Sequence, residues 1–132
     1  MRATYPHIIS IVFAAMALLV SCDKQQSDTP EEIAKMFILS LHHDKPAITH
    51  GTIYSFLDAP KEYKEMILAR YREITTNIET ENGKITDIEC TKTELHSGGN
   101  QADVYLSITH ADKTTNHIMI PLIKHNHHWL VR

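Results

Sequence analysis

Two cysteines, four glycines and a single tryptophan in 132 residues close off several kinds of protein at once. Cys22 and Cys90 cannot build a disulfide framework or a Cys-rich zinc site. The glycines offer no loop that could cradle a phosphate, and there is no Gly-x-Ser-x-Gly elbow for a nucleophilic serine. Positive charge is scarce as well. Against 13 Lys plus Arg stand 16 Asp plus Glu, a net charge of −3 with His neutral. No cluster of Lys and Arg interleaved with aromatics interrupts that balance, which argues against a nucleic-acid partner. The longest apolar run, Ile8 to Val20, would make about 20 Å of helix, short of the roughly 30 Å hydrocarbon core. No internal repeat or low-complexity tract is present.

What is there begins with that run. Arg2 precedes it and Leu19-Val20-Ser21-Cys22 ends it. A short apolar core behind one basic residue reads as a secretory leader, not a span. Its end resembles the bacterial lipobox, in which an aliphatic, a tolerant and a small residue precede a cysteine. The resemblance implies lipid attachment to the Cys22 thiol, cleavage before it, and anchoring of the chain to a lipid bilayer of the bacterial cell envelope. With Cys22 acylated, Cys90 has no intramolecular partner, and its apolar-alternating surroundings make it a small hydrophobe. Residues 1–21 are then the signal peptide and 22–28 a lipidated cysteine with a polar linker. Residues 29–132 form one domain, with room for one core.

Helices come first. Thr29-Pro30-Glu31-Glu32 supplies a cap, a proline at the first helical position and a Glu three residues after the cap, so a helix of 29–43 is expected. Ile33, Met36, Phe37, Ser40 and Leu41 form its stripe. After Asp44-Lys45-Pro46, a second short helix is expected over Ala47 to Leu57. A third runs from Pro60 to Glu79, with Tyr63, Met66, Ile67, Tyr71, Ile74 and Ile78 at helical spacing. Strands follow. In "KITDIECTKTEL" the apolar parity switches between Ile88/Cys90 and Thr93/Leu95, which predicts a β-bulge. Ser97-Gly98-Gly99-Asn100 is a hairpin turn. Ala102, Val104, Leu106 and Ile108 alternate with polar residues as a half-buried strand. "NHIMIPLIK" and a terminal strand with Trp129 and Val131 complete four antiparallel strands. Helices on one face of an antiparallel sheet make an α+β domain.

The order of these parts resembles a family of small bacterial lipoproteins defined only as a domain of unknown function. The lipobox, the "TPEEIAKMFILSL" helix, two further helices, the Ala102-x-Val104 strand after a glycine turn and the "HHWLVR" end carry the likeness. That family sits in the nuclear-transport-factor-2-like superfamily, with SnoaL-like cyclases and ketosteroid isomerases. The resemblance implies a cone, a bent sheet wrapped around helices with a pocket at the wide end. It transfers no activity, because the same cone hosts enzymes, ligand binders and adaptors.

Catalytic members of the superfamily place an acid or base on the inner sheet face. Here that face would carry His110 and no carboxylate, leaving Tyr63, Tyr71 and His110 as the candidate catalytic groups. A His and two Tyr without a carboxylate partner make a poor acid–base set, so no catalytic residue is assigned. The expected pocket wall is Tyr63, Met66, Ile67 and Tyr71 from the long helix, facing Leu106, Ile108, Ile120 and Trp129 from the sheet. Nine histidines in the mature chain suggest metal, yet His125, His127 and His128 lack the further Cys or carboxylate spacing of a zinc site, and His42-His43 suits a helix C-terminus. Neither a metal nor a cofactor is expected. On the outer face, Tyr105, Met119, Pro121, Ile123 and Leu130 would leave an apolar contact surface. The reading is a lipid-anchored, non-catalytic module binding a small apolar ligand or peptide, or a protein partner or second copy of the chain. The alternatives are a SnoaL-like or isomerase-type enzyme acting on a small apolar substrate, and a structural adaptor working through its sheet surface.

Overall fold

A computed structural model describes residues 28–132 of the chain, so the leader, Cys22 and the polar residues up to Ser27 lie outside the described residues. Within the described residues, three α-helices precede a four-stranded antiparallel sheet: α1 (Pro30–His42), α2 (Pro46–Thr52), α3 (Lys61–Asn82), β1 (Ile85–His96), β2 (Gln101–His110), β3 (Thr115–His125) and β4 (His128–Val131). The strand order is β1-β2-β3-β4, a simple meander. Among the described residues no helix is long and apolar enough to cross a membrane.

The start of α1 follows from its first residues. The Thr29 hydroxyl accepts from the Glu32 N–H at 3.3 Å, and Pro30 occupies the first turn, where its missing N–H costs nothing. The buried residues of α1 are Ala34, Phe37, Ile38 and Ser40, with Ile33 and Leu41 packed against the core; of the stripe read in the sequence only Met36 is turned outward. α1 and α2 are joined by hydroxyls. Ser40 donates to the Phe37 carbonyl at 2.7 Å, the Lys45 carbonyl lies 3.3 Å from the Thr49 hydroxyl, and the two hydroxyls meet at 2.8 Å. Both side chains are buried, and this exchange leaves no bare hydroxyl between the helices.

The expected second helix breaks at Ile53. Its backbone is extended (φ −105°, ψ 122°), it pairs with Val131 as an isolated parallel bridge, and a 3-10 turn follows over Tyr54–Phe56. Ile53 and Phe56 are both core residues, and the break sets Ile53 alongside Val131 of β4. Burying both outweighs helical continuity.

The strands match the sequence pattern. β2 alternates without fault: Ala102, Val104, Leu106, Ile108 and His110 are buried, and the residues between them are half-buried. Pairing with β1 shifts between Cys90 and Lys92, which is the expected bulge, and again near Ile85. Cys90 is partly buried and packs on the core. The core lies between α1 and the inner sheet face, where Phe37, Ile38 and Phe56 meet Val104, Leu106, Ile120, Leu122, Trp129 and Val131.

Candidate functional site

A recess of about 190 Å³ opens where α1, α3 and the β2–β3 end of the sheet diverge. Ile38, Leu41, Ile74, Ile78, Ile108 and Ile118 wall it, and its polar groups are few: His42, Tyr71, Thr75, His110 and Asn116. A long apolar wall with a handful of polar atoms is the usual make-up of a small-molecule site, although this one is smaller than a typical drug-sized pocket.

The two histidines are held in complementary ways. His110, the last residue of β2, is 2 % exposed, and its Nδ1 lies 2.9 Å from the Gly83 carbonyl oxygen. A carbonyl only accepts, so Nδ1 carries the hydrogen of that contact. Gly83 can present that carbonyl because its φ of +85° and ψ of −179° form a backbone state open to glycine. His42, at the end of α1, has an 8 % exposed side chain whose Nδ1 meets Glu79 Oε1 of α3 at 3.0 Å. The carboxylate fixes Nδ1 as the donor there too. The two rings stand 6.3 Å apart, tilted by 59°. Neither Nε2 has a hydrogen-bond partner among the described residues. Burial raises the Tyr71 phenol above its usual range, and the nearby Tyr63 adds to the effect. Tyr71 also packs edge-on against Phe37, with ring centroids 5.8 Å apart.

The structure therefore redistributes the expected pocket wall. Tyr71, Ile108 and His110 line the recess. Leu106, Ile120 and Trp129 are buried in the core beside it, and Ile67 is half-buried against that core. Tyr63 is 39 % exposed, with its ring edge-on to Phe56, and Met66 is 60 % exposed. The cause is the phase of α3: Leu68 and Thr75 turn inward, so Met66 is carried outward. On the outer sheet face Tyr105, Met119, Pro121 and Ile123 pair along β2, β3 and β4, with Met119 46 % exposed. Leu130 shares their parity but is buried at the edge strand, beside the segment that pairs Ile53 with Val131 and sets Tyr54 against His125. It does not belong to an exposed surface. His42 and Glu79 were missed because the first reads as a helix-end cation and the second as a solvated charge. Their only sequence signal is that each lies at the inner edge of an amphipathic stripe.

No protein-family profile matches the sequence, and no curated protein does. Among solved structures, the chain is similar to a provisionally assigned NTF2-like transpeptidase from Campylobacter jejuni. The TM-score is 0.63 at 17 % identity, over 78 % of this chain and 96 % of that one. At that identity the likeness speaks for architecture only. Three helices packed on a four-stranded antiparallel sheet are the arrangement of the nuclear-transport-factor-2-like fold, and the described residues of this chain have it.

Proposed function

We propose that the protein is a lipid-anchored module of the bacterial cell envelope that binds a small apolar or amphipathic ligand in the recess, without catalysis. The observation that carries this reading is the wall of six aliphatic side chains around an open volume of about 190 Å³. Affinity would come from apolar area buried, with the two imidazoles receiving a polar end of the guest. The Leu19-Val20-Ser21-Cys22 sequence supports the anchor, and the exposed Met119 beside Tyr105 and Ile123 supports a second, protein-facing surface on the sheet. A fluorescent dansyl fatty acid tests the recess. Saturable binding is expected, weakened by Ile74→Lys and by Ile118→Trp, which fill or charge the wall. No saturable binding, or binding indifferent to both changes, sinks the reading. For the anchor, Cys22→Ala should abolish metabolic labelling with palmitate and leave the precursor uncleaved.

One observation favours an isomerase-type or SnoaL-like enzyme instead. His42 has the carboxylate partner that Tyr63, Tyr71 and His110 lacked in the sequence, and an imidazole oriented by a carboxylate is a competent general base. Turnover of a steroid-like ketone or polyketide that is lost in both His42→Ala and Glu79→Leu, but kept in Met66→Ala, would establish that reading in place of simple binding.

A further inference from the structure

The outer sheet face holds a side-chain cluster that the recess does not use. Glu94 of β1 stands directly opposite Asp103 of β2, and His96 follows two residues along β1 on the same face. The bulge between Cys90 and Lys92 is what puts them there. Ile88 and Cys90 face the core, and the extra residue switches parity so that Lys92, Glu94 and His96 all point outward. Two carboxylates directly opposite each other repel. These nevertheless converge on one imidazole: His96 Nε2 lies 2.9 Å from Asp103 Oδ2 and 3.9 Å from Glu94 Oε2. One donor atom from each of the three lies within 4.8 Å of the other two.

We propose that Glu94, His96 and Asp103 form a three-ligand site for a divalent transition-metal ion of the zinc type. Around a tetrahedral ion with bonds of about 2.0–2.2 Å, neighbouring donor atoms sit roughly 3.4 Å apart. The two His96 separations fall on either side of that edge, so small side-chain rotations bring all three donors onto one ion. On binding, His96 Nε2 exchanges its contact with Asp103 for the metal, and the ring proton resides on Nδ1. The donor set selects the metal. One imidazole disfavours magnesium and calcium, the absence of sulfur disfavours copper(I), and two carboxylates suit zinc, manganese or cobalt. Three protein ligands leave a position for water, so the site is open and exchangeable. Lys92 completes the arrangement by binding Glu94 through Oε1, which leaves Oε2 for the ion, and it is itself held over the Tyr105 ring at 5.7 Å. All three ligands are partly exposed, between 23 and 46 % for their side chains, so an ion can enter from solvent.

The test is calorimetric titration of the full chain in detergent with Zn²⁺, alongside Co²⁺ titration followed by its visible ligand-field bands. One Zn²⁺ per chain is expected, with bands typical of a tetrahedral or five-coordinate centre. Both His96→Ala and Asp103→Asn should weaken binding by about tenfold or more. The double change of His125 and His127 to Ala should leave it intact. Because the ligands are at the surface, circular dichroism should show both ligand variants folded, and either one alone decides the question. Binding unaffected by His96→Ala and Asp103→Asn, binding lost with His125 and His127, or no stoichiometric uptake would each overturn the assignment.

Discussion

His42 and Glu79, 37 positions apart in the chain, meet at 3.0 Å through Nδ1 and Oε1, and the contact ties the last residue of α1 to the final turns of α3. Nearly all of the imidazole is out of water, while the carboxylate is about one-third exposed. Removing the carboxylate would leave a shielded N–H with nothing to bond. Glu79→Leu should therefore cost about 1–2 kcal/mol in urea unfolding. Glu79→Gln retains an acceptor oxygen and should cost less than half as much. Equal midpoints for wild type and Glu79→Leu would show that water reaches His42 more freely than the structure implies.

Inside and outside should separate cleanly by truncation. Leu106 is 1 % exposed in the middle of β2, and Met66 is 60 % exposed on α3. Leu106→Ala should destabilise the domain by about 3 kcal/mol, through lost transfer energy and the cavity left behind. Met66→Ala should stay within about 0.5 kcal/mol of wild type. A large loss at Met66 would mean that α3 is rotated towards the phase its apolar residues suggest.

Those two residues also mark what the sequence could and could not disclose. β2 was legible because an antiparallel strand with one wet face writes its burial as strict alternation, and Val104, Leu106 and Ile108 obey it. The bulge was legible because it reverses that alternation between Cys90 and Thr93. Helix phase was harder. α3 packs mainly through Leu68, Tyr71 and Thr75, so a polar threonine is buried where isoleucine and methionine are not. A stripe drawn from apolar letters alone keeps Ile67 and Tyr71, which pack on the core, but takes in Met66 and misses Leu68 and Thr75. Contacts made across long separations, His42 with Glu79 and His96 with Asp103, leave no local trace, because they depend on helix docking and strand register. His110 was placed on the right strand face, but its Gly83 partner comes from the turn before β1.

Glycine positions offer a paired test of opposite sign. Gly83 adopts φ +85°, and a Cβ there would come within 2.8 Å of the Ala111 Cβ. Neither the strain nor the clash can be relieved by moving a flexible side chain. Gly83→Ala should cost about 1–3 kcal/mol and displace the carbonyl that orients His110, visible as shifted His110 ring signals by NMR. Gly51 lies in α2 with nothing within 4 Å of its Cβ position. Gly51→Ala should raise stability by about 0.4–1 kcal/mol. If both variants lose stability, the backbone of α2 differs from the helix described.

Acid should expose the β2–β3 turn. Asp112 accepts from the Thr114 N–H at 2.9 Å, from the Thr114 hydroxyl, and from Asn82 Nδ2 at 3.0 Å. These donors favour the charged form, the Thr114 hydroxyl most, and lower the carboxyl from 3.8 to about 2. The folded value lies below the unfolded one, so between them the unfolded chain binds more protons. The stabilisation is fully present above 3.8 and is lost as the pH falls from there through about 2. Glu31 is also lowered, chiefly by the Thr93 hydroxyl, so the wild-type curve alone mixes two groups. The difference between wild type and Asp112→Ala isolates the turn. Their urea midpoints should differ by a constant amount from about pH 7 down to about pH 5, then converge as the pH approaches 2. Midpoints that stay equally far apart at the acid end would show that the turn is held by its backbone and not by this carboxylate.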